Sequence, residues 1–436
     1  MTTAAADAER RVFAKIGWRL MPILILAYIF NYLDRNNVGF AGLTMNQAIG
    51  LTATQLGFGA GVFFIAYCLL EVPSNLALYR VGARVWLSRI MISWGLASAA
   101  TAFAVGPSSF YALRLLLGAA EAGFFPGVAF YLGTWFPAQY RTRMIAWFMV
   151  AIPVSSVIGG PVSGWLLGMD GVAGIAGWQW LFIIEAIPAL LMSVAVLFYL
   201  TDRPAEATWL EPDERAWLAA RLQLERTKRE TVRHYSVAQA LLNPKVLALS
   251  LVYFGAVSTN YGLSFFLPQI VKAFGVSNLQ AGFITALPYV VGVVSIVWWG
   301  RHSDRTLERR YHLAFPLFVA SACIAISTML DDPTMKMVAL SIAGFGIFGC
   351  LPVFWTFPTA FLSGAAAAGG IALINSIGNL AGFAGPYAMG RIKDLTGSYT
   401  GGLLSLAAAG LMAMIIVLVV DHDHSLERVS GEDLAA

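Results

Sequence analysis

Twelve stretches of this chain stay apolar for about as long as a helix needs to cross a bilayer, roughly 20 residues each. They lie near 18–40, 53–79, 84–105, 108–132, 142–168 and 178–201, and then near 245–272, 278–300, 311–330, 334–360, 368–391 and 399–420. Lipid gives the backbone no hydrogen-bonding partner, so a spanning chain folds as helices or as a closed barrel. The runs are continuous and do not alternate with period two, which excludes the barrel. Of 436 residues, 58% are hydrophobic and 12% charged, against roughly 45–50% and about 25% in soluble domains. The expected class is an all-α polytopic membrane protein with twelve transmembrane helices, six and six, in two bundles.

A single long polar stretch, 201–239, divides the runs. The expected organisation is an N-terminal six-helix bundle at 1–201, a linker with an amphipathic helix at 202–240, and a C-terminal bundle at 241–436. Pro212 suits the first turn of the linker helix, Asp213 and Glu214 its positive end, and Lys228 and Arg229 its negative end. Trp217, Leu218 and Leu222 form one greasy face, suited to a membrane surface or to the bundle.

The formal charge of +4 matters through its placement. Arg10, Arg11, Lys15 and Arg19 precede the first run. Arg80 and Arg84 follow the second, Arg141 and Arg143 the fourth, and Arg301, Arg305, Arg309 and Arg310 the eighth. The alternate loops near 41–52, 106–109 and 169–177 hold no Lys or Arg. Cytoplasmic loops collect these residues, so both termini are expected in the cytoplasm, with Arg391 and Lys393 as the exception. No small-residue cleavage site follows the first run, so no removable signal peptide is expected. The basic balance serves topology, and no nucleic-acid partner is expected. Cys68, Cys323 and Cys350 are scattered packing residues. No HExxH, nucleophile elbow, phosphate-cradling loop or metal-ligand cluster is present, so neither an enzyme nor a metal or cofactor is expected. His422 and His424 lie in a short acidic tail.

Charges at membrane depth cost about 2.5–3.5 kcal/mol each even on insertion-based scales, and they persist where they face protein or water. Here they are Asp34, Arg35, Glu71, Arg114, Glu121 and Glu185. Asp34 and Arg35, within Asn31-Tyr32-Leu33-Asp34-Arg35, point about 100° apart on a helix, so one can face a cavity and the other a neighbouring helix. Arg114 and Glu121 lie two turns apart on one face. Two cations and two anions can balance when the site is empty. An arginine fork grips a carboxylate, and a carboxylate in a dry cavity can hold a proton near neutral pH. The same groups could instead form inert interhelical salt bridges, and Glu71 and Glu185, beside Pro73 and Pro188, read as structural. The C-terminal half offers neutral groups: Asn260 and Tyr261, Trp355, and Asn375 and Asn379 one turn apart. They suit substrate hydroxyls or helix–helix hydrogen bonding.

Short basic turns recur at Asn75–Arg84 and Gly300–Arg309. They resemble the cytoplasmic loop motif of the major facilitator superfamily, G-x-x-x-D-R-x-G-R-R. Gly300, Asp304 and Arg305 match it, whereas Asn75 and Tyr79 replace its Gly and Asp in the first copy. Arg80, Arg84, Asp304 and Arg305 are the expected gating-loop residues. Together with Glu71-Val72-Pro73-Ser74-Asn75, Gly82-Ala83-Arg84-Val85-Trp86, Arg114–Gly123 and Gly369–Asn379, the chain resembles the anion:cation symporter branch, and within it bacterial tartrate-type and phthalate-type permeases. The resemblance implies a multi-pass carrier of the bacterial inner membrane, acting as a monomer without cofactors. It would import a small organic anion with protons by alternating access. By the same resemblance Asp34 and Glu121 are proton-carrying acids, Arg35 the substrate-carboxylate ligand, Tyr32 and Tyr67 cavity residues, and Arg114 a partner of the coupling acid. A hydroxylated mono- or dicarboxylate such as tartrate or an aldonate is the expected substrate class. An aromatic carboxylate permease and a proton-independent anion exchanger or uniporter remain as alternatives.

Overall fold

The computed structural model describes residues 3–230, 242–306, 308–361 and 364–420. His422, His424 and the linker residues 231–240 lie outside them. Among the described residues all regular structure is helical.

The first span is Thr3–Ala48, the second Ala53–Val81 and the third Ala83–Ala100, extended by a 3-10 turn at Thr101–Phe103. The fourth comprises Pro107–Glu121 and Phe124–Trp135, the fifth Ala138–Met149 and Ala151–Leu166, and the sixth is Gly177–Tyr199. After the linker helix Pro212–Glu230 come the seventh, Pro244–Lys272, the eighth, Asn278–Thr306, and the ninth, Arg310–Ser327. The tenth is Pro333–Phe354 with a short continuation at Thr356–Phe361, the eleventh Gly364–Thr396 and the twelfth Thr400–Val419. Ten of these, among the described residues, are long and apolar enough to cross a membrane on their own. The third carries Arg84 and Arg89, and the eleventh adjoins residues outside the description.

Local chemistry sets the boundaries. Pro107, Pro212, Pro244 and Pro333 open their helices, where a missing N–H costs nothing. Asn243 and Asp332 cap by accepting from the backbone N–H of Lys245 and Met335, and Thr52 with Gln55 closes a capping box. The fourth span breaks directly after Glu121. Gly123 sits at φ 89° with Ser74 pressed against it, so both the left-handed backbone and the close approach require glycine there. The first span overruns the membrane at its start, where Phe13 packs on Trp217 of the linker helix with ring centroids 5.6 Å apart. Lys15 pairs with Glu214 at 2.7 Å, and Leu218 is fully buried. The linker's greasy face therefore lies against the first span.

The packing repeats across the two halves. The first span packs on the fifth and sixth, the second on the fourth, and the third on the fourth and sixth. The seventh likewise packs on the eleventh and twelfth, the eighth on the tenth, and the ninth on the tenth and twelfth. The halves meet through the second and eleventh spans, the fifth and eighth, and the first and seventh.

These contacts are tightest at the end holding the loops 49–52 and 273–277. There Gly160 and Gly282 lie carbonyl against Cα, Gly57 packs on the Pro386 carbonyl, Gly39 on Phe265 and Gly390 on Ala53. Asp394 of the eleventh span accepts from the N–H groups of Ala53 and Thr54 at 3.1 and 2.7 Å. At the other end, which carries the basic turns, the fifth span stands apart from the eighth and tenth. A cavity of about 530 Å³ opens between them, lined by Arg143, Trp147, Arg301, Asp304, Arg309 and Pro352. The cleft is closed at one end and open at the basic end.

Candidate functional site

Arg35 stands where the halves meet, with only 5% of its surface exposed. Its Nη2 pairs with Oε1 of Glu121, and its Nη1 donates to the Tyr261 hydroxyl of the seventh span at 2.9 Å. Tyr32 shares a hydrogen bond of 3.0 Å with that hydroxyl. The guanidinium carbon lies 4.6 Å from the Tyr32 ring centre, 5.2 Å from Phe63 and 5.3 Å from Tyr67, within cation–π range. One cation is thus held by an acid of its own half, a phenol of the other half and a wall of aromatic faces.

Asp34 points the other way, as the 100° step between neighbours requires. It is fully buried, accepting from Trp94 Nε1 at 3.1 Å and from Ser98 Oγ at 2.7 Å, both on the third span. Arg114 and Glu121 share a helix face, yet the partner bonded to Glu121 is Arg35. Fully buried Arg114 gives Nε to the Gly59 carbonyl at 3.4 Å, and its two terminal nitrogens meet no hydrogen-bond partner. Two arginines and two carboxylates are therefore gathered here, with one close ion pair among them.

From the C-terminal half, Tyr261 reaches Arg35, while Asn260 bonds within its own span. Its side-chain oxygen accepts from Ser264, which in turn accepts from Tyr289 at 2.8 Å. Asn375 donates to Glu71 at 2.8 Å, joining the halves nearer the basic end. Asn379 is half-buried one turn further along. Trp355 lies 5.0 Å from the Tyr253 ring, which closes over Gly378.

Sequence reasoning passed over Tyr28, Tyr253, Trp94 and Ser98. Tyr28 meets the Tyr32 ring edge-on at 5.0 Å and stacks on Phe148 at 4.1 Å. Four- and eight-residue spacings from Tyr32 and Tyr261 place Tyr28 and Tyr253 on the same faces, a signal present in the sequence. Trp94 and Ser98, one turn apart, had no such marker.

Around the gating turns, Gly82 adopts φ 100° with Asp202 against it. Asp202, from the end of the sixth span, accepts from the Arg84 N–H at 2.8 Å and lies 3.9 Å from its guanidinium. A carboxylate thus serves this turn although Tyr79 occupies the motif's acidic position. Arg80 is exposed. In the second copy Asp304 pairs with Arg309 at 2.7 Å, Arg305 borders the open cavity, and hydrogen bonds from His312 and the backbone of residues 311 and 312 overcome partial burial to hold Glu308 below the usual carboxylate range.

Comparisons with known proteins agree with this architecture. The chain is 51% identical over 414 residues to a candidate tartrate transporter of Agrobacterium vitis, covering 95% of this chain and 92% of that one. It is 41% identical to a quinolone resistance transporter of Acinetobacter baumannii, covering 95% and 96%. Among solved structures, a D-xylose–proton symporter superposes with a TM-score of 0.74 at 14% identity, covering 94% of this chain and 99% of that one. A bacterial homologue of the human lysosomal transporter Spinster, inward-facing and unoccupied, gives 0.70 at 18% identity, covering 92% and 94%. Residues 24–386 match the family model of the Major Facilitator Superfamily. Helices packed in two repeating halves among the described residues, a buried charged centre between those halves and that match make this chain a membrane transporter belonging to the major facilitator superfamily.

Proposed function

We propose that the protein imports a small organic anion with protons by alternating access, and that the anion is a hydroxylated mono- or dicarboxylate of tartrate or sugar-acid type. The observation that carries this reading is the position of Arg35, paired with Glu121 in its own half and hydrogen-bonded to Tyr261 in the other. A substrate carboxylate and Glu121 compete for one guanidinium. Protonating Glu121 weakens its hold and releases the fork for substrate, so proton and anion favour each other's binding, and by linkage the effect is reciprocal. Arg114, with two unpartnered terminal nitrogens, adds positive charge and favours an anionic cargo. Asp34 lies directly behind Arg35, held by neutral donors, and is the second acid of the cycle; unlike Glu121, it takes a proton without losing an ion pair. The hydroxyl and amide groups of Tyr32, Tyr67, Tyr261, Asn375 and Asn379, with Trp355, are suited to substrate hydroxyls. In this reading the basic end is cytoplasmic, the membrane is the bacterial inner membrane, the open cavity faces inward, and one chain suffices.

The aromatic wall around Arg35 favours a second reading in which the cargo is an aromatic carboxylate. Proteoliposomes with an imposed pH gradient test both cargo and coupling, with labelled L-tartrate, D-galactonate and phthalate as probes. Wild-type protein should accumulate its substrate. Asp34→Asn and Glu121→Gln should bind and exchange it but fail to concentrate it, since a group that cannot titrate contributes no drive. Gradient-driven accumulation persisting in both variants and in the double variant would remove these carboxylates from coupling. Exchange without any effect of the gradient would leave an anion exchanger.

A further inference from the structure

Glu185 is a buried carboxylate that the cycle above leaves unused. It sits on the sixth span, 3% exposed, with Ser163 of the fifth span donating to Oε1 at 2.6 Å and with Oε2 unpartnered. Asn37 of the first span lies beside it, 2% exposed, and neither end of that amide meets hydrogen-bond geometry. Asp34 is the charged group facing Glu185 among the described residues. The third and fifth spans present neutral Trp94, Ser98 and Ser163, and their arginines, Arg84, Arg89, Arg141 and Arg143, sit near the basic end. The 3-10 turns at 101–103 and 167–169, which also touch the sixth span, contain no charged residue.

In this region the buried charges of these packed spans are therefore two arginines, Arg35 and Arg114, and three carboxylates, Asp34, Glu121 and Glu185, the last without an arginine beside it. A carboxylate removed from water without a cation costs several kcal/mol, and taking a proton is the cheaper outcome. Glu185 is separated from a small cleft by its two neighbours, Ser163 and Asn37. Ser163 and Asn37 line a polar cleft of about 20 Å³ between the halves, with Asn36, Ser156, Thr285 and Tyr289. That volume suits about one water. Oδ1 of Asn36 and the Thr285 hydroxyl are unpartnered there. Gly160 lines the cleft and lies against Gly282 of the closed gate, and Gly164 against Asn278 follows one turn further along. Asn37 is three residues beyond Asp34, one turn along the same helix face.

We propose that Glu185 is the proton-entry residue of the transport cycle, loaded through this cleft from the gated end and discharging to Asp34 past Asn37. A hydronium ion in the cleft gives its proton to Oε2: one hydronium O–H bond breaks as the carboxyl O–H bond forms, and water is left. The carboxyl O–H bond breaks as one forms on the Asp34 carboxylate, and Glu185 is left ionised until the gate next opens. The proposal rests on the proton-coupled reading and adds to it how the proton reaches Asp34.

Glu185→Gln keeps the acceptor for Ser163 but cannot carry a proton. In proteoliposomes, gradient-driven L-tartrate uptake should slow about tenfold or more, in line with loss of a positioned proton carrier. Tartrate–tartrate exchange, which needs no proton turnover, should stay within about twofold, and the final accumulation level should be unchanged because the proton count is the same. Equal slowing of uptake and exchange, or no slowing of either, overturns the proposal. If the Gln variant does not fold, Ser163→Ala must show the same split in smaller degree, and its absence is equally fatal. Wild-type uptake that ignores the pH gradient overturns both this proposal and the coupling reading. A gradient-driven wild type with an unaltered Glu185→Gln variant overturns this proposal alone.

Discussion

Replacing Gly160 with alanine wedges the closed gate. A methyl group there would stand 2.6 Å from the Gly282 carbonyl oxygen, whereas an ordinary carbon–oxygen contact is roughly 3.3 Å. Both partners are helical backbone, so neither can swing aside, and the fifth and eighth spans must separate by about 0.7 Å or accept overpacking worth about 1–3 kcal/mol. The helix-propensity gain of Gly→Ala, about 1 kcal/mol, acts in every conformation and cancels from their ratio. A carrier that also opens at this end should therefore lose roughly 5- to 150-fold in its gate-closed to gate-open ratio. Spin labels on Gly168→Cys and Ser277→Cys, at exposed sites flanking the gate, report the separation once Cys68, Cys323 and Cys350 are replaced. The expected result is a new long-distance population in Gly160→Ala. An unchanged distance distribution in a folded variant would refute the rigid-gate reasoning.

Arg35→Lys retains the charge but cannot hold Glu121 and Tyr261 with one planar fork. Losing one charge-assisted hydrogen bond, about 1.5–3 kcal/mol, should weaken L-tartrate binding roughly 10- to 150-fold by calorimetry with the melting temperature retained, and near wild-type affinity would remove Arg35 from the carboxylate role. At the far end of the eleventh helix, Asp394 caps the second span; hydrogen bonds from Thr54, Thr52 and Ala53 outweigh partial burial and hold it below the usual carboxylate range. A lowered value means the latch is at full strength above the ordinary carboxylate pKa, about 3.9, and is lost only as pH falls through the depressed one. Asp394→Asn should thus ease gate opening by about two- to fivefold, the worth of a charge at an exposed helix start. The spin-label distances should show the same shift at pH 5.5 and 7.5, and a shift confined to one pH would contradict the assignment.

The order of the spans was legible in the residues because lipid leaves the backbone few options, so apolar runs of bilayer length become helices whatever surrounds them, although the first helix, Thr3–Ala48, runs well past its expected bounds of 18–40. Asp34, Arg35 and Glu121 stood out for the same reason, as charges where charge is costly. The break after Glu121 was hidden, since Gly123 is one of many glycines, and its left-handed φ and the close approach of Ser74 are set only by the packing of the second span on the fourth.

Pairing was decided by tertiary structure. Seven-residue spacing put Arg114 with Glu121, but the first span's rotation against the fourth brought Arg35 to that carboxylate instead. Adjacent Asn260 and Tyr261 separated, one to Ser264 and one to Arg35, because neighbours on a helix face different partners. Asp202 reached the turn at Gly82 from 118 residues beyond Arg84, and Asn375 reached Glu71 from 304 away. Helical periodicity determines which residues share a face. Which faces meet depends on the register and rotation of packed helices, and that is settled only when small residues such as Gly39, Gly57 and Gly160 let particular backbones touch.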